Sequence, residues 1–428
     1  MLKRYIKSAC RRLSAALDQS PWAGYTHDAL QLVSSIDCAP HQLLLPQQHP
    51  ERISGTKAER VCNWYLPPFD NPFYGGVMTI LRLADSLYRE HGIQQRFLIC
   101  GGSDASEIRA HLRRSFPSLS HADVKVLSTG EAISHIPPSD YSIATLWTTA
   151  YVLLGVHNTG YKFYLIQDFE PAFYPAGSTY AQAELTYRFG FYGICNTQTL
   201  KDIYERDYGG CAVVLQPSVD ANVFYPSSER QSSPKRLFYY ARPGTPRNGF
   251  ELAAAALARV KRKYGNALDI VCGGTAWRPR EYGLRRLVRS VGLLPYAATA
   301  DLYRSCHVGC VMMMTKHPSY LPFELMACGT TVVANFNDAN SWLLRDGEKC
   351  LLSPPSASCL ASTLSYALDH HEELAPLRQK AADYVLHSLD SWDVSMGRVA
   401  RFMFNPPAEF QNFVPFGHRF IATRAHLA

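Results

Sequence analysis

The chain has 428 residues, enough for two or three domains with substantial cores. Hydrophobic residues make up 47% and charged residues 18%, which excludes a disordered or fibrous chain. The net charge of +7 is small for this length, and the basic residues are scattered beyond the first turns; this argues against a nucleic-acid binder but suits acidic partners such as nucleotide phosphates or anionic lipid.

Residues 1–17 read as an amphipathic helix. Leu2, Ile6, Ala9, Leu13 and Leu17 form one stripe, and Lys3, Arg4, Lys7, Arg11 and Arg12 cover most of the rest. Such a helix suits either peripheral contact with an anionic membrane or docking on the protein's own core. No apolar run reaches about 18 residues, so no spanning helix is expected. No long apolar stretch follows the basic start, which argues against a signal peptide. The 12 cysteines show no paired zinc or redox spacing. They read as buried free thiols in a reducing, cytoplasmic compartment, on the inner face of the membrane if the helix binds it.

Residues 18–60 carry Pro40, Pro46 and Pro50 and read as an irregular extension, so 1–60 is set apart from the first domain. From Val61 the pattern becomes regular. Val61–Leu66 predicts a strand, Gly75-Gly76 a tight loop, and Val77–His91 a helix on the stripe Ile80, Leu83, Ala84 and Leu87, stopped by Gly92. Arg96–Cys100 resumes as a strand, completing one βαβ unit. Asp123–Leu127, Tyr141–Trp147 and Lys162–Gln167 predict strands; Gln182–Tyr192 and Thr197–Tyr208 predict helices. The Ser- and Pro-rich stretch 226–234 is the expected linker between domains at 61–226 and 235–400, with 401–428 as a tail. In the second half, strands are predicted at Leu237–Ala241, Leu268–Gly273, Val308–Met313 and Thr331–Ala334. Helices are predicted at Gly249–Tyr264, Asp301–Ser305 and Leu321–Cys328. The fold class is α/β: two doubly wound Rossmann-like domains facing a central cleft, where ligands bind at the carboxyl ends of the strands.

Three stretches carry chemistry. Gly75-Gly76 lets backbone approach a ligand at a helix start. Arg242 and Arg247 share a loop after a predicted strand, where paired cations can neutralise a diphosphate leaving group. In Thr315–Gly329 a strand gives way to a loop and a helix with Pro322 in its first turn. Backbone N–H groups there can hold phosphate, and Glu324 can accept hydrogen bonds from ribose hydroxyls or simply complement the helix dipole. A fourth stretch, Gln167–Pro171, follows a predicted strand of the first domain. There Phe169, Phe173 and Tyr174 can stack on acceptor sugars, and Asp168 or Glu170 can bind their hydroxyls. The chain has no Asp-x-Asp pair for a Mg²⁺-diphosphate, so no metal and no cofactor are expected.

Pro322-Phe323-Glu324-Leu325-Met326-Ala327-Cys328-Gly329 resembles the signature of retaining GT-B glycosyltransferases. Arg242 and Arg247 are similar to that family's phosphate clamp, and Gly75-Gly76 to its first glycine loop. The resemblance spans about Val61 to Phe402. It departs at Lys316, where the signature has a Glu; at Arg247, where the clamp has a Lys; and near Trp147, where the family has an active-site His. The His317-Pro318-Ser319-Tyr320 loop, the arginine pair and Gln167–Pro171 look like bacterial rhamnosyltransferases that use dTDP-L-rhamnose in surface polysaccharide synthesis. The resemblance implies a retaining transferase acting on a glycan or lipid-linked glycan acceptor. Arg242, Arg247 and Glu324 would be catalytic. Gly75, Gly76, Gly273, Lys316, His317, Ser319, Tyr320 and Leu321 would bind the donor, and Asp168, Phe169, Glu170 and Tyr174 the acceptor. A nucleotide-sugar epimerase of the same fold and a non-catalytic glycan-binding relative remain the alternatives.

Overall fold

A computed structural model describes residues 23–56, 59–69, 75–102, 104–127, 134–227 and 233–414. The expected amphipathic helix at 1–17, and with it the membrane contact, lies outside these residues. No helix among the described residues is long and apolar enough to cross a membrane.

The first sheet comprises β1 (Val61–Leu66), β2 (Gln94–Cys100), β3 (Asp123–Leu127), β4 (Ser139–Ala144), β5 (Thr159–Ile166), β6 (Tyr192–Cys195) and β7 (Cys211–Val214). It runs in the order β3-β2-β1-β4-β5-β6-β7, every pair parallel. The second comprises β8 (Lys235–Ala241), β9 (Leu268–Gly274), β10 (Arg289–Gly292), β11 (Val308–Val311), β12 (Thr331–Asn335) and β13 (Leu351–Ser353), ordered β10-β9-β8-β11-β12-β13 and again parallel. Both sheets therefore reverse direction of growth beside their first strand, the doubly wound order that opens a crevice at the strands' carboxyl ends.

The central strands of each sheet are buried on both faces because helices cover both. In β1, Trp64 packs into the layer with Leu83, Leu87 and Phe97, and its neighbour Tyr65 into the opposite layer with Trp147 and Tyr164. β4 is polar in sequence yet wholly buried. Its hydroxyls are satisfied internally: Ser139 Oγ donates to Thr159 Oγ1 at 3.0 Å and lies 3.0 Å from Ser142 Oγ. That polarity is why the strand was expected two residues late and running into Trp147, which instead opens a helix, Trp147–Leu154.

Two boundaries differ from expectation. The extension is partly helical, at Ala23–Ser35 and Pro40–Leu44, and is tied to the first domain. Gln182 Nε2 donates to the Ile36 carbonyl at 2.8 Å, and the His49 amide to that of Gly160 at 2.7 Å. At the other end, the helix Trp392–Phe404 leaves the second domain and returns to the first. It buries Met396, Val399, Ala400 and Met403 against Leu83 and Phe163. The second domain thus ends before Trp392 rather than at 400, because this apolar stripe completes the first domain's core. Tyr192 Oη reaches the Pro407 carbonyl at 2.8 Å, so the described part of the tail stays on that domain.

Lys162 is fully buried in β5. Its ammonium donates to Gln47 Oε1 at 2.7 Å and to the Leu154 carbonyl at 3.4 Å, and Gln48 pairs with its backbone N–H at 2.9 Å. Burial lowers its pKa to about 7, helped by Arg52. The unfolded chain therefore takes up a proton that the folded chain refuses. Stability should rise from about pH 7 toward the ordinary lysine value and level off below pH 7. Lys162→Met should flatten that slope in urea-midpoint measurements, while Gln47→Leu should cost about 1–3 kcal/mol by stranding the amine. An unchanged slope in Lys162→Met would show that another group titrates there.

Candidate active site

The two sheets present their carboxyl ends to one cleft of about 580 Å³. Tyr320 seats the second domain against the first across this cleft. A Cβ on Gly75, at the start of the Gly75–His91 helix, would lie 3.0 Å from the Tyr320 ring. The glycine is there so that helix and ring can meet. The phenol also anchors a hydrogen-bond chain: Thr79 Oγ1 donates to the Gly75 carbonyl at 2.8 Å, sits 2.6 Å from Tyr320 Oη, and Asn196 Nδ2 donates to Tyr320 Oη at 3.0 Å. Thr79 has one proton and spends it on Gly75, so Tyr320 must donate to Thr79 and accept from Asn196. A second bridge runs from Thr315 Oγ1 to Asp168 Oδ2 at 2.6 Å, and a third from Thr199 Oγ1 to the Ala339 carbonyl at 3.0 Å.

The loop carrying Tyr320 is shaped by His317 and Ser319. His317 Nδ1 accepts from the Ser319 amide at 3.0 Å, with Ser319 in the left-handed region at φ 69°. Such backbone in a residue with a side chain costs on the order of 1–3 kcal/mol and collects at functional sites. Burial lowers the His317 pKa to about 3, so the ring is neutral. With Nδ1 accepting, the proton sits on Nε2, which becomes a donor facing the cleft.

That nitrogen has no hydrogen-bond partner among the described residues. The same holds for the buried atoms Gln167 Oε1, Asn196 Oδ1, Arg242 Nε and Asn248 Oδ1, and all five residues line the cleft. A buried polar atom left unpaired costs about 1–3 kcal/mol, so this concentration marks a place built for a polar ligand.

Charge is divided across the cleft. Arg242 and Arg247 stand on the second domain, and the Arg247 guanidinium lies 4.1 Å from the Phe173 ring centroid of the first. Burial lowers the Arg247 pKa, opposed by Asp168. The Asp168 carboxyl is raised to about 6 by burial and pulled back by the Thr315 hydroxyl. Glu170 is buried, and raised to about 8 by burial; it accepts from the Trp147 amide at 2.6 Å and Tyr164 Oη at 2.7 Å. Glu324 lies in the first turn of the short Leu321–Ala327 helix with its side chain in the cleft. Burial raises it to about 8, against the pull of Arg82. Among the described residues no three His, Cys, Asp or Glu side chains gather as a metal site.

Residues 63–198 match the family described as WsaF, N-terminal domain, and residues 235–365 that described as WsaF, C-terminal domain. The chain carries both WsaF domains, in order. It is 39% identical over 378 residues to the O-antigen biosynthesis protein RfbC of Myxococcus xanthus, covering 87% of this chain but 29% of that protein. The chain thus spans under a third of that relative's length. Its fold matches a sucrose-phosphate synthase from Thermosynechococcus elongatus, at 16% identity and TM-score 0.63, covering 82% of this chain and 100% of that one. It also matches Anabaena HepE in complex with UDP-glucose, at 15% identity and TM-score 0.61, covering 80% and 99%. The WsaF pair is thus a GT-B fold, with its two domain matches falling on the two sheets.

Of the site residues expected from sequence, this WsaF chain brings Gly75, Gly76, Asp168, Glu170, Arg242, Arg247, Gly273, His317, Ser319, Tyr320, Leu321 and Glu324 to one cleft. Three fall elsewhere. Lys316 points to solvent and does not line the cleft. Phe169 stacks on Tyr187 at 5.6 Å and belongs to the first domain's core. Tyr174 accepts from Trp147 Nε1 at 3.1 Å, and of Phe169, Phe173 and Tyr174 it is Phe173 that lines the cleft. Arg82, Asn196, Tyr296 and Trp392 also line it and carried no sequence signal. Arg82 sits off the apolar stripe of its helix, one turn beyond Thr79, where it reads as an ordinary solvated charge. Removing the seam's phenol with Tyr320→Phe should strand Asn196 Nδ2 and cost about 1–3 kcal/mol. Differential scanning calorimetry should show the loss as a lower melting temperature, and a wild-type thermogram would mean the chain of hydroxyls holds nothing.

Proposed function

We propose that this chain is a glycosyltransferase of cell-surface polysaccharide synthesis that transfers L-rhamnose from dTDP-L-rhamnose to a glycan with retention of configuration. The observation that carries the transferase reading is the cleft itself: unpaired buried polar atoms and two arginines converge where two doubly wound sheets meet. The name of the Myxococcus relative, an O-antigen biosynthesis protein, supports the polysaccharide setting. The His317–Tyr320 loop and the arginine pair support the rhamnose donor through their resemblance to rhamnosyltransferases.

In this reading Arg242 and Arg247 face the donor diphosphate and stabilise the charge that develops as the bond between sugar C1 and the phosphate oxygen breaks. The acceptor oxygen bonds to C1 on the same face, and its proton passes to the departing phosphate. The protein's part is to orient the two substrates and to supply fixed dipoles. The arginines take the place of a divalent cation, and no cofactor is used. Incubation with a panel of nucleotide sugars should release free nucleotide from dTDP-L-rhamnose above all others, with retention visible as the product's anomeric coupling by NMR. Release from another donor alone would replace the sugar assignment.

Arg242→Ala and Arg247→Ala should each lower kcat/KM for the donor about a hundredfold, on the order of 3 kcal/mol, with wild-type turnover unaffected by EDTA. Undiminished turnover in both variants would remove the arginines from the mechanism.

Glu324 gives a pH signature. With its pKa raised to about 8, it is mostly protonated at neutral pH in the empty cleft. If it accepts the donor's sugar hydroxyls as a carboxylate, binding must pull its pKa down and release a proton. Affinity for thymidine diphosphate should then climb from pH 6 to about 8 and level off above. In deoxyribose the hydroxyl concerned is the 3′ group. Glu324→Gln should fold normally, bind at least tenfold more weakly above pH 8, and lose the pH dependence; charge-assisted bonds of about 1.5–3 kcal/mol each set that scale. Calorimetry in buffers of different ionisation enthalpy measures the proton count. A count of zero with equal affinities would leave Glu324 a structural residue.

A further inference from the structure

The unpaired atoms of the cleft differ between its two walls. On the second domain stand two N–H donors, Arg242 Nε and His317 Nε2, beside one carbonyl oxygen, Asn248 Oδ1. On the first domain both unpaired atoms are carbonyl oxygens, Gln167 Oε1 and Asn196 Oδ1. These two residues are neighbours by topology. Ile166 and Cys195 are register partners of β5 and β6, so Gln167 and Asn196 are the next residues beyond the carboxyl ends of adjacent strands. The Asn196 amide N–H closes this junction on the Ile166 carbonyl at 3.0 Å.

The orientation of the Asn196 side chain is fixed by proton counting. Gly75 accepts from Thr79, Thr79 from Tyr320, and Tyr320 from Asn196 Nδ2, so the other end of the amide, Oδ1, is the one left over. Gln167 lies flat on Gly76, where a Cβ would come within 3.4 Å of its Nε2 and 3.5 Å of its Oε1. Asn196 is fully buried, and both residues line the cleft.

A diphosphate offers only acceptors and is repelled by two bare carbonyl oxygens. What they can receive is an O–H or N–H group, and a sugar offers O–H groups in number. We propose that Gln167 and Asn196 form a subsite for the hydroxyls of an uncharged sugar acceptor, opposite the cationic wall that takes the donor diphosphate. This rests on the glycosyltransferase reading, and it replaces Phe169 and Tyr174 as the acceptor-binding groups of the first domain. The Tyr320–Thr79–Gly75 chain makes the subsite dependent on the seam: the same amide that receives the sugar holds the loop carrying His317.

The test is saturation-transfer NMR on the full chain with a panel of methyl glycosides, including methyl α-L-rhamnopyranoside, methyl α-D-mannopyranoside and methyl α-D-glucopyranoside, in the presence of thymidine diphosphate. Wild type should bind at least one. Gln167→Met, which keeps the side chain's length and removes the oxygen, should weaken that glycoside at least fivefold while thymidine diphosphate affinity by calorimetry stays within twofold. Gln167→Glu, which keeps an acceptor oxygen, should restore it. Asn196→Leu should behave as Gln167→Met does, and because it also cuts the bond to Tyr320, Gln167→Met decides the matter if that protein fails to fold. Equal glycoside binding in wild type and Gln167→Met overturns the proposal, as does the absence of any glycoside binding to wild type. A fall in thymidine diphosphate affinity in Gln167→Met also overturns it, by assigning the oxygen to the thymine N3–H or the deoxyribose hydroxyl of the donor. Failure of wild type to bind thymidine diphosphate at all is the separate result that removes the glycosyltransferase reading.

Discussion

The cleft exists because one phenol fits against one glycine. Tyr320 lies where any side chain at position 75 would crowd it, and its hydroxyl is held by Thr79 and Asn196 of the facing domain. The loop that places Tyr320 also places His317 and leads into Glu324, so seating the ring positions three cleft residues at once. The Thr315 hydroxyl on the Asp168 carboxylate adds a second fixed point on the same loop. A charge-assisted bond of this kind is roughly twice as strong as a neutral one. The two domains are thereby held at a defined separation across the cleft.

The C-terminal helix reinforces that arrangement. By burying Met396, Val399, Ala400 and Met403 in the first domain, it makes the chain cross the seam twice, and Trp392 at its start joins the cleft wall near Tyr320 and Arg82. The Arg82 guanidinium also lies 3.8 Å from Asp220, on the segment leaving the first domain. Aromatic, cation and carboxylate therefore meet at the point where the connections between domains pass the cleft.

The buried ionisable groups fall into two kinds. Lys162 and Glu170 are fully enclosed and their polar atoms are occupied: the ammonium by Gln47, the carboxyl by Trp147 and Tyr164. They hold the extension and the loop after β5 in place. Glu170 thus shapes the cleft wall that it was expected to serve as a ligand. Glu324 and Arg247 are also shifted by burial, yet each lines the cleft. A perturbed group with a satisfied shell is architecture; one without is available for chemistry.

The sequence by itself determined the architecture and the larger part of the cleft wall on the second domain. Short runs bounded by turn residues located β1, β2, β3, β8, β9, β11 and β12, and β5 with a late start; most are apolar because a parallel strand buried on both faces must be so almost throughout. Arg242, Arg247 and Glu324 were legible because each follows a strand in a short local motif. Strands β4, β6, β7, β10 and β13 were misplaced or missed, since they are short, or polar with hydroxyls satisfied only by neighbouring strands, as Ser139 and Thr159 are. What only the tertiary structure decided is which side chains remain unpaired. Phe169 and Phe173 are equivalent by sequence; stacking on Tyr187 takes one into the core and leaves the other beneath Arg247. Asn196 and Arg82 carry no local signal because their roles depend on Tyr320 and Glu324, more than a hundred residues away in the chain. Hydrogen-bond satisfaction is a property of the whole packed molecule, and no window along the chain contains it.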